Sequence, residues 1–210
     1  MTEPHAAAPV ADLDGLGERL RDERKRAGLS QRELARRLGL SPSLISQLEG
    51  GLSKPSVGTL YAIVTELGVS LDRVIRGDDY DAPERATPSN HRLVLHPDER
   101  RHIVLDSGVV WEQLTIDLED GIDFLEAIYE VGGASTPDES LMRHEGREYG
   151  YVISGQLGIQ IGFDVHELDP GDSIAFDSTT PHRLFNRGDQ PVHAIWFVHG
   201  RAADARAPGG

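Results

Sequence analysis

The sequence contains no cysteine among its 210 residues. This absence excludes disulfide bonds, thiolate metal sites and a cysteine nucleophile, so any metal ion would be held by His, Asp or Glu. No apolar run approaches the roughly 18 residues that a transmembrane helix needs. The first ten residues also lack the basic start and apolar stretch of a secretory signal. By elimination, we expect a cytoplasmic protein with no membrane partner.

Positive charge is scarce, because 21 Lys and Arg stand against 35 Asp and Glu and leave a net charge of -14. The charge is also unevenly distributed along the chain. Residues 13–76 carry 11 basic and 8 acidic side chains, a net of +3, so the remainder carries -17. This asymmetry predicts two domains with different partners, since a basic-leaning segment can approach phosphates whereas an acidic one is repelled from DNA.

The hydrophobic pattern divides the chain at the same place. Residues 13–76 show short helical periodicities, and residues 77–90 contain Pro and Asp without periodicity, which predicts a linker. Residues 91–200 contain short β-type runs between turn signals, as in an all-β barrel or sandwich. We expect flexible ends at 1–12 and 201–210. The β-type runs are Val109–Leu114, Phe124–Val131, Tyr149–Ser154, Leu157–Ile161, Ser173–Phe176 and His193–Val198.

Capping signals predict three helices in the first segment. The first covers about Leu13–Ala27. The second begins after Ser30, because Ser30 and Glu33 have the spacing of a capping box, and it ends at Gly39. Ser41 caps the third helix. Two short helices joined by a glycine-containing turn form a helix-turn-helix.

This stretch resembles the XRE family of helix-turn-helix DNA-binding domains over about residues 16–71. The residues that carry the resemblance are SQRELA at 30–35, GLS at 39–41, ISQLE at 45–49, KPS at 54–56 and Leu60. The resemblance implies an all-α domain of five helices, in which Ser56 opens the fourth helix and residues 71–75 form the fifth.

The third predicted helix carries the candidate base-reading side chains. In such a motif this helix enters the major groove with its N-terminal residues leading, and a glutamine can pair bidentately with adenine. The candidates on this helix are Ser41, Ser43, Ser46 and Gln47. The candidate phosphate partners are Gln31, Arg32, Arg36, Arg37 and Lys54. The alternative is a small helical bundle with a solvated charged face.

A homodimer is expected from the same motif. Helix-turn-helix dimers bind two half-sites about one helical turn apart. We therefore expect two copies of the chain on a pseudo-palindromic operator of double-stranded DNA.

The second half of the chain resembles the cupin family, a small β-barrel, over about residues 91–199. The first cupin motif is matched by His144, Glu148 and Gly155, and Met142 stands where the family has its first His. His182 matches the second motif, whose Pro and Gly are replaced here. The two resemblances together imply an all-α helix-turn-helix domain followed by an all-β cupin barrel.

The cupin motifs bring together residue types that bind metals. Two His and one carboxylate with open positions form the facial site of non-haem Fe(II), and the set also suits Zn or Ni. His144, Glu148 and His182 are thus the candidate ligands of one divalent ion. In the alternative, both imidazoles are hydrogen-bonded barrel residues and the carboxylate is paired with a neighbouring arginine. The candidates for that partner are Arg143, Arg147 and Arg183.

A barrel of this size can hold one small ligand in its mouth. The expected lining residues are Tyr151, Phe176, Leu184 and Trp196. We expect a transcriptional regulator without catalytic residues, whose cupin domain senses a small-molecule effector or a metal and whose linker transmits the change. The same layout also resembles hydroxypropylphosphonate epoxidase, so a mononuclear non-haem iron enzyme is the alternative. The polar set on the third helix favours the regulator.

Overall fold

A computed structural model describes residues 15–69, 71–76, 93–116, 121–137 and 139–200. The expected flexible ends, the expected linker and the first residues of the first predicted helix lie outside the described residues. In the described part of the chain, no helix combines the length and the hydrophobicity of a bilayer-spanning segment.

The N-terminal part of the protein is all-α. Its elements are α1 (Leu16–Arg26), α2 (Gln31–Leu38), α3 (Pro42–Glu49), α4 (Val57–Leu67) and α5 (Leu71–Arg76). The first four helices have 8 to 11 residues, whereas α5 is a segment of only six. The start of α1 follows Gly15, whose φ of 103° is left-handed and incompatible with a continuing right-handed helix.

Serine side chains fix the starts of three consecutive helices. The hydroxyls of Ser30, Ser41 and Ser56 accept hydrogen bonds from backbone N–H groups three residues ahead, at 3.1, 3.1 and 3.2 Å. Each bond satisfies an N–H group that lacks a partner within its helix. Only the serine half of the predicted capping box is observed, because the Glu33 carboxylate accepts hydrogen bonds from Arg36 instead. Local chemistry thus sets the helix-turn-helix.

The C-terminal part consists of two antiparallel sheets. The strands are β1 (His102–Leu105), β2 (Val109–Gln113), β3 (Ile122–Tyr129), β4 (Arg147–Ser154), β5 (Leu157–Ile161), β6 (Asp164–Leu168), β7 (Ser173–Asp177), β8 (His182–Phe185) and β9 (Val192–His199). One sheet has the order β1-β2-β3-β9-β4-β7, and the other has the order β6-β5-β8. In the described ranges no strand of one sheet pairs with a strand of the other, so the expectation of a closed barrel is wrong.

The chain crosses between the sheets at a glycine turn. β4 belongs to the six-stranded sheet and β5 to the three-stranded one, and Gly155 between them has a φ of 75°. A side chain there would also press on the backbone, since an added Cβ would lie 2.5 Å from the carbonyl oxygen of Pro191. The two sheets therefore enclose their core as facing layers rather than by one continuous ladder of hydrogen bonds.

The helical domain packs directly on the sheet domain through α4. The backbone N–H of Gly58 donates to the carbonyl of Ser135 at 3.1 Å, and the N–H of Asp106 donates to the carbonyl of Pro55 at 3.0 Å. The ring of Tyr61 meets the ring of Trp111 edge-on, with centroids 5.4 Å apart. Buried apolar residues of both domains accordingly form one cluster. This contact places α4 over the space between the sheets.

Candidate DNA-reading helix and buried histidine–carboxylate centre

The α3 helix presents a polar face to solvent. Ile45 and Leu48 are buried on one side of it, at 1% and 3% exposure. The predicted base-reading residues lie on the exposed side: Ser41, Ser43, Ser46 and Gln47. The spacing explains this arrangement, because residues three and four apart share one face of a helix. The candidate side chains are thus presented along the exposed side of α3, from its N-cap Ser41 to Gln47 near its C-terminal end.

Four of the predicted phosphate partners are exposed, and Arg36 and Arg37 share the carboxylate of Glu33. Arg32 and Lys54 are exposed. Arg36 and Arg37 are also exposed, but both donate to the carboxylate of Glu33, and their hydrogen bonds lower the pKa of Glu33 to about 2. Arginines held by a carboxylate approach a phosphate less readily than free ones, because the two anions compete for the same donors.

Gln31 belongs to a buried polar network that the sequence pattern did not indicate. Its amide nitrogen donates to Oε2 of Glu49 at 2.8 Å, so a phosphate contact is open to the backbone N–H at the start of α2 rather than to this amide. Glu49 also forms a bidentate ion pair with Arg24, with Nε–Oε1 at 2.5 Å and Nη2–Oε2 at 2.8 Å. Burial raises the pKa of Glu49, and the bonds from Arg24 and Gln31 lower it by more. The network fastens α1 to the end of α3.

Three predicted metal ligands converge inside the sheet domain. Oε1 of Glu148 on β4 lies 3.0 Å from Nε2 of His144 and 3.1 Å from Nε2 of His182 on β8. The side chains are 0 to 3% exposed. One ligand atom from each residue lies within 4.8 Å of the other two. The structure therefore assembles in three dimensions what the two cupin motifs predict from sequence.

The hydrogen bonds of the two imidazoles aim their other ring nitrogens at the carboxylate. Nδ1 of His144 lies 3.0 Å from the carbonyl of Glu145, and Nδ1 of His182 lies 2.8 Å from the carbonyl of Thr180. A carbonyl can only accept, so each Nδ1 carries a proton and a neutral ring directs its Nε2 lone pair at Glu148. Both Nε2 atoms and Oε1 are buried without a hydrogen-bond partner in this state. Three buried lone pairs facing one point fit a cation.

Protons and metal ions compete for this centre. Burial raises the pKa of Glu148, but imidazoles of His144 and His182 that carry a proton on Nε2 donate to this carboxylate, outweigh burial and hold that pKa well below its usual range. Burial lowers the pKa of His182, and its bond to the Glu148 carboxylate raises it above the ordinary value. A metal ion takes neutral imidazoles, so it displaces the same protons that otherwise hold the centre together.

The arginine pairing considered for Glu148 is not the arrangement observed. Its other oxygen, Oε2, accepts a hydrogen bond of 2.6 Å from Nε1 of Trp196. Arg183 lies over the ring of Phe185 at 5.2 Å and donates to a backbone carbonyl. Arg147 lies over the ring of Tyr149 at 5.7 Å. The carboxylate is thus bound by an indole and two imidazoles.

Glu148 of the centre also lines a narrow chamber between the sheets. The free volume is about 10 Å³, at the lower limit of what one water molecule needs. Leu184 and Trp196 line it as predicted, and Phe176 contacts His182 edge-on at 5.0 Å between centroids. The expectation that Tyr151 lines the chamber is wrong. Tyr151 is 49% exposed, because side chains alternate along β4 and Glu148 occupies the inner face.

Two further chamber residues were not indicated by sequence reasoning about ligands. The Tyr61 ring from α4 stacks on the His144 ring, with centroids 4.4 Å apart and planes 17° from parallel. Gly150 leaves room for the indole of Trp196, since an added Cβ would lie 2.1 Å from that ring. The available signal for Gly150 was a glycine inside a strand pattern, which marks a close approach. No local signal in the sequence places Tyr61 beside His144.

Comparison with known proteins agrees with this division of the chain. The helix-turn-helix family model matches residues 20–74, and the cupin domain family model matches residues 125–198. The HTH-type transcriptional regulator SutR of Escherichia coli strain K12 is 29% identical over 189 residues, which cover 88% of this chain and 94% of that protein.

A solved structure shows the same two-domain fold. A helix-turn-helix family transcriptional regulator from Vibrio cholerae superposes with a TM-score of 0.65 at 22% identity, over 90% of this chain and 97% of that one. Hydroxypropylphosphonic acid epoxidase from S. wedmorenis reaches a TM-score of 0.42 at 20% identity, over 89% and 98%. That score is too low to bear on function. The chain thus contains one segment that matches the helix-turn-helix family model and a later segment that matches the cupin domain family model.

Proposed function

We propose that this protein is a sequence-specific DNA-binding transcriptional regulator whose cupin domain senses a divalent metal ion or a small molecule. The exposed polar face of α3 carries this proposal. Four uncharged polar side chains along the exposed side of the second helix of a helix-turn-helix match the chemistry of major-groove readout. The relatives named as transcriptional regulators support the same function.

Base contacts and phosphate contacts come from different helices in this proposal. Gln47 and Ser43 lie one turn apart on the exposed face of α3 and reach base edges together. Arg32 and Lys54 flank that face and contact phosphates, which position the helix without reading sequence. Two copies of the chain bind a pseudo-palindromic operator, since one such helix covers only a half-site. The protein acts in the cytoplasm, where its DNA lies.

His144, Glu148 and His182 would hold the divalent ion. The buried convergence of two Nε2 atoms and one carboxylate oxygen supports a cation there, and the chemistry of the set suits Fe(II), Zn(II) or Ni(II). A bound divalent ion would supply fixed positive charge to a buried anionic centre. The residues of the chain do the rest: the carbonyls of Glu145 and Thr180 orient the imidazoles, and Trp196 fixes the carboxylate.

The non-haem iron enzyme remains the second candidate function, because a 2-His-1-carboxylate set is the site such enzymes use. The two functions differ in what the purified protein retains and binds. An iron enzyme retains stoichiometric iron and ignores DNA. A regulator shifts a duplex taken from its own upstream region.

Elemental analysis combined with a gel-shift assay tests the proposal. The full-length protein is analysed for Fe, Zn and Ni and then titrated against its own upstream DNA and a shuffled duplex of equal length. We expect retardation of the upstream duplex at protein concentrations that leave the shuffled one free. Stoichiometric iron without any retardation would overturn the regulator and favour the enzyme.

A further inference from the structure

The most informative feature outside the ligand set is the wall that closes the chamber. Val57 and Tyr61 of α4 line the free space beside Glu148 and Trp196. Tyr61 is 5% exposed and lies between His144 on one side and Trp111 on the other. A residue of the DNA-binding domain is therefore packed against a candidate metal ligand in the sensing domain.

The chamber as it stands excludes organic ligands. Its free volume of about 10 Å³ compares with the roughly 300–1,000 Å³ of pockets that bind small molecules. An organic effector can enter only if one wall of the chamber moves.

The wall formed by α4 is joined to the sheets by few backbone hydrogen bonds within the described part of the chain. The other walls are strands with paired neighbours, such as β3 and β4, both of which pair with β9. The backbone bonds between the sheet domain and α4 with the segment before it run, among the described residues, from Gly58 to Ser135 and from Asp106 to Pro55. Beside this contact, a crevice of about 140 Å³ separates α1 and the segment after α3 from β1. Separating α4 from the sheets therefore breaks fewer backbone hydrogen bonds than separating two paired strands.

The glycine at the contact allows the close approach. An added Cβ at Gly58 would lie 2.9 Å from Cγ2 of Thr136 and 3.5 Å from Cβ of Met142. Any larger side chain at this position would push α4 away from the chamber. The neighbouring Ala62 is exposed on the same helix, so the same bulk placed there would not disturb the contact.

We infer that the DNA-binding domain forms the lid of the cupin chamber: Tyr61 holds His144 in position, and an organic effector enters only by displacing α4. This inference rests on the proposed sensing function and deepens it. Effector entry and undocking of the DNA-binding domain are then one event, so occupancy of the chamber changes how the α3 helices of a dimer are placed. Zn(II) serves as the probe, since it fits the centre without needing the lid to stay open.

Variants of Tyr61 test the positioning role. The affinity for Zn(II) is measured by competition with a chromophoric chelator for the wild type, Tyr61→Phe and Tyr61→Ala. Loss of the ring frees His144, so we expect Tyr61→Ala to bind Zn(II) about 10- to 100-fold more weakly, the size typical of residues that orient a metal ligand. Tyr61→Phe keeps the stacked ring and rescues the affinity to within about threefold. Equal affinity of the wild type and Tyr61→Ala overturns the inference.

A disulfide tests the lid itself, and the absence of native cysteine makes the experiment clean. Cysteines at positions 58 and 136 lie within bonding reach, so the oxidised Gly58→Cys, Thr136→Cys variant holds α4 closed. We expect its Zn(II) uptake to be at least about tenfold slower than that of the oxidant-treated wild type, since uptake then needs a larger opening. Gly58→Leu should load faster than the wild type, and Ala62→Leu should load at the wild-type rate.

The outcomes separate the lid from the sensing function. Uptake by the oxidised lock at the wild-type rate, or a wild type that takes up no Zn(II), overturns the lid. Slow Zn(II) uptake by the oxidised double-cysteine variant confirms the lid, whatever effect Zn(II) has on DNA affinity. If the lid is confirmed and Zn(II) leaves the DNA affinity unchanged, the lid stands and the proposed sensing function fails.

A second observation concerns the outer face of the six-stranded sheet. A sheet face turned to water is normally polar, yet this face carries a contiguous apolar group that we call the aromatic face. It consists of Phe124, Tyr149, Tyr151, Ile153, Ile195 and Phe197. Phe124, Phe197 and Tyr149 lie side by side across three strands, with ring centroids 6.2 and 6.1 Å apart. The helical domain packs on the other side, through the inward-facing Trp111.

Charge and area indicate what covers the aromatic face. A chain with net charge -14 repels a second copy over most of its surface, whereas the six residues of the aromatic face are uncharged and Glu126, opposite Ile195, borders them. Three strands of eight residues with β7 beside them span roughly 15–20 Å by 25 Å, or about 400 Å² in projection, and the aromatic face occupies part of this area. Apolar patches that approach this size are often functional. An operator with two half-sites also requires two copies. We propose that a second copy of the chain binds here, which specifies the dimer of the proposed function.

A charge placed on the aromatic face tests the dimer. Light scattering after size exclusion gives the mass of the wild type, Tyr151→Glu and the control Phe163→Glu, whose side chain is fully exposed on the β5–β6 turn. We expect the wild type and the control to have twice the chain mass of 23.0 kDa and Tyr151→Glu to have the single mass. A monomeric wild type, or a dimeric Tyr151→Glu, overturns this inference. A monomeric wild type that still retards its upstream DNA leaves the DNA-binding function standing.

Discussion

The two functional regions of this protein differ most in exposure. The α3 helix offers neutral polar side chains from one short stretch of sequence, all of them open to solvent. The histidine–carboxylate centre combines residues 38 positions apart, from 144 to 182, at 0 to 3% side-chain exposure. A surface that reads DNA must meet its partner without rearrangement. A buried centre can respond only to something small enough to enter, or able to open it.

The two regions also differ in whether they need a positive charge nearby. The uncharged side chains on α3 cost little free energy in the DNA-free protein, because water forms hydrogen bonds with them. Buried lone pairs at Glu148, His144 and His182 need protons or a metal ion, because no other group of the described residues donates a hydrogen bond to these ligand atoms. The sheet domain is therefore the part whose state depends on conditions. The following predictions test this contrast, from the largest expected effect to the smallest.

The helical domain has its own buried charges, and removing one of them should have the largest effect. Glu49→Ala leaves Arg24 buried without its partner, so we expect the free energy of unfolding to fall by about 3–5 kcal/mol. Chemical denaturation followed by circular dichroism measures it. Glu33→Ala removes an exposed carboxylate whose pairs with two arginines are screened by water, so its loss of stability should be much smaller. Equal losses in the two variants would show that the Arg24–Glu49 pair is not buried in solution.

The histidine–carboxylate centre should lose its metal when its charge is removed. Glu148→Gln keeps the shape of the side chain but removes the negative charge between the imidazoles. We expect Zn(II) affinity to fall at least about 100-fold, or about 2.7 kcal/mol. The matched control is Glu167→Gln, an exposed carboxylate on β6. Isothermal titration measures both, and a Glu148→Gln variant that binds Zn(II) like the control contradicts the assignment.

A substitution on the exposed side of α3 should change DNA affinity and sequence preference. Gln47→Ala removes one base reader without disturbing the packing of α3, so we expect operator affinity to fall by about 1–3 kcal/mol and sequence choice to relax at one position. Fluorescence anisotropy on a panel of single-base variants of the upstream duplex measures both effects. Gln156→Ala, an exposed glutamine in the sheet domain, is the control. Unchanged affinity and selectivity would show that Gln47 does not read a base.

The half-exposed pair of His193 and Glu126 should give the smallest effect. Their hydrogen bond of 2.9 Å raises the pKa of His193, and burial lowers that pKa by a smaller amount. The carboxylates of Glu112 and Glu130 raise it further. The carboxylate of Glu126 faces both His193 and Arg100. A raised His pKa stabilises the fold below about pH 6.5, the ordinary value, and the contribution is lost as pH rises through the raised pKa. The wild type should exceed His193→Gln by under about 1 kcal/mol at pH 6, with no difference at high pH. A stability difference that does not change with pH would show that His193 and Glu126 do not form this pair in solution.

The helical domain could be predicted from sequence because local chemistry determines it. The Ser30 and Ser41 caps and the left-handed Gly39 depend on neighbours within a few residues, and the structure confirms all three. The Arg24–Glu49 pair joins helices 25 residues apart, and nothing in the spacing of either residue indicates it.

The sheet domain could be predicted only in part. Strands with alternating burial, such as β3 and β9, are found within a few residues of their predicted bounds. The sequence pattern gave no bounds for the β1, β6 and β8 strands. Four residues of β8 are all buried and so show no alternation, whereas β6 is exposed along most of its length. The number of strands does not reveal which strands pair, so the sequence could not distinguish the expected closed barrel from the two separate sheets that are observed.

Motif spacing located the ligand residues better than it located the walls of the chamber. His144, Glu148 and His182 meet as the two motifs predict. The orientation of Tyr151 depends on which face of β4 points inward, and that is set by register with β7 and β9. The stacking of Tyr61 on His144 depends on how two domains pack, which no local pattern encodes.

The most direct test of the central claim is the affinity of the full-length protein for a duplex from its own upstream region. It is measured at one fixed salt concentration, once after stripping with a chelator and once saturated with Zn(II). Control of DNA binding by the chamber predicts dissociation constants that differ by about 5- to 150-fold, the usual range of coupling between two sites. Identical constants in the two states, or no preference over a shuffled duplex, would contradict the account.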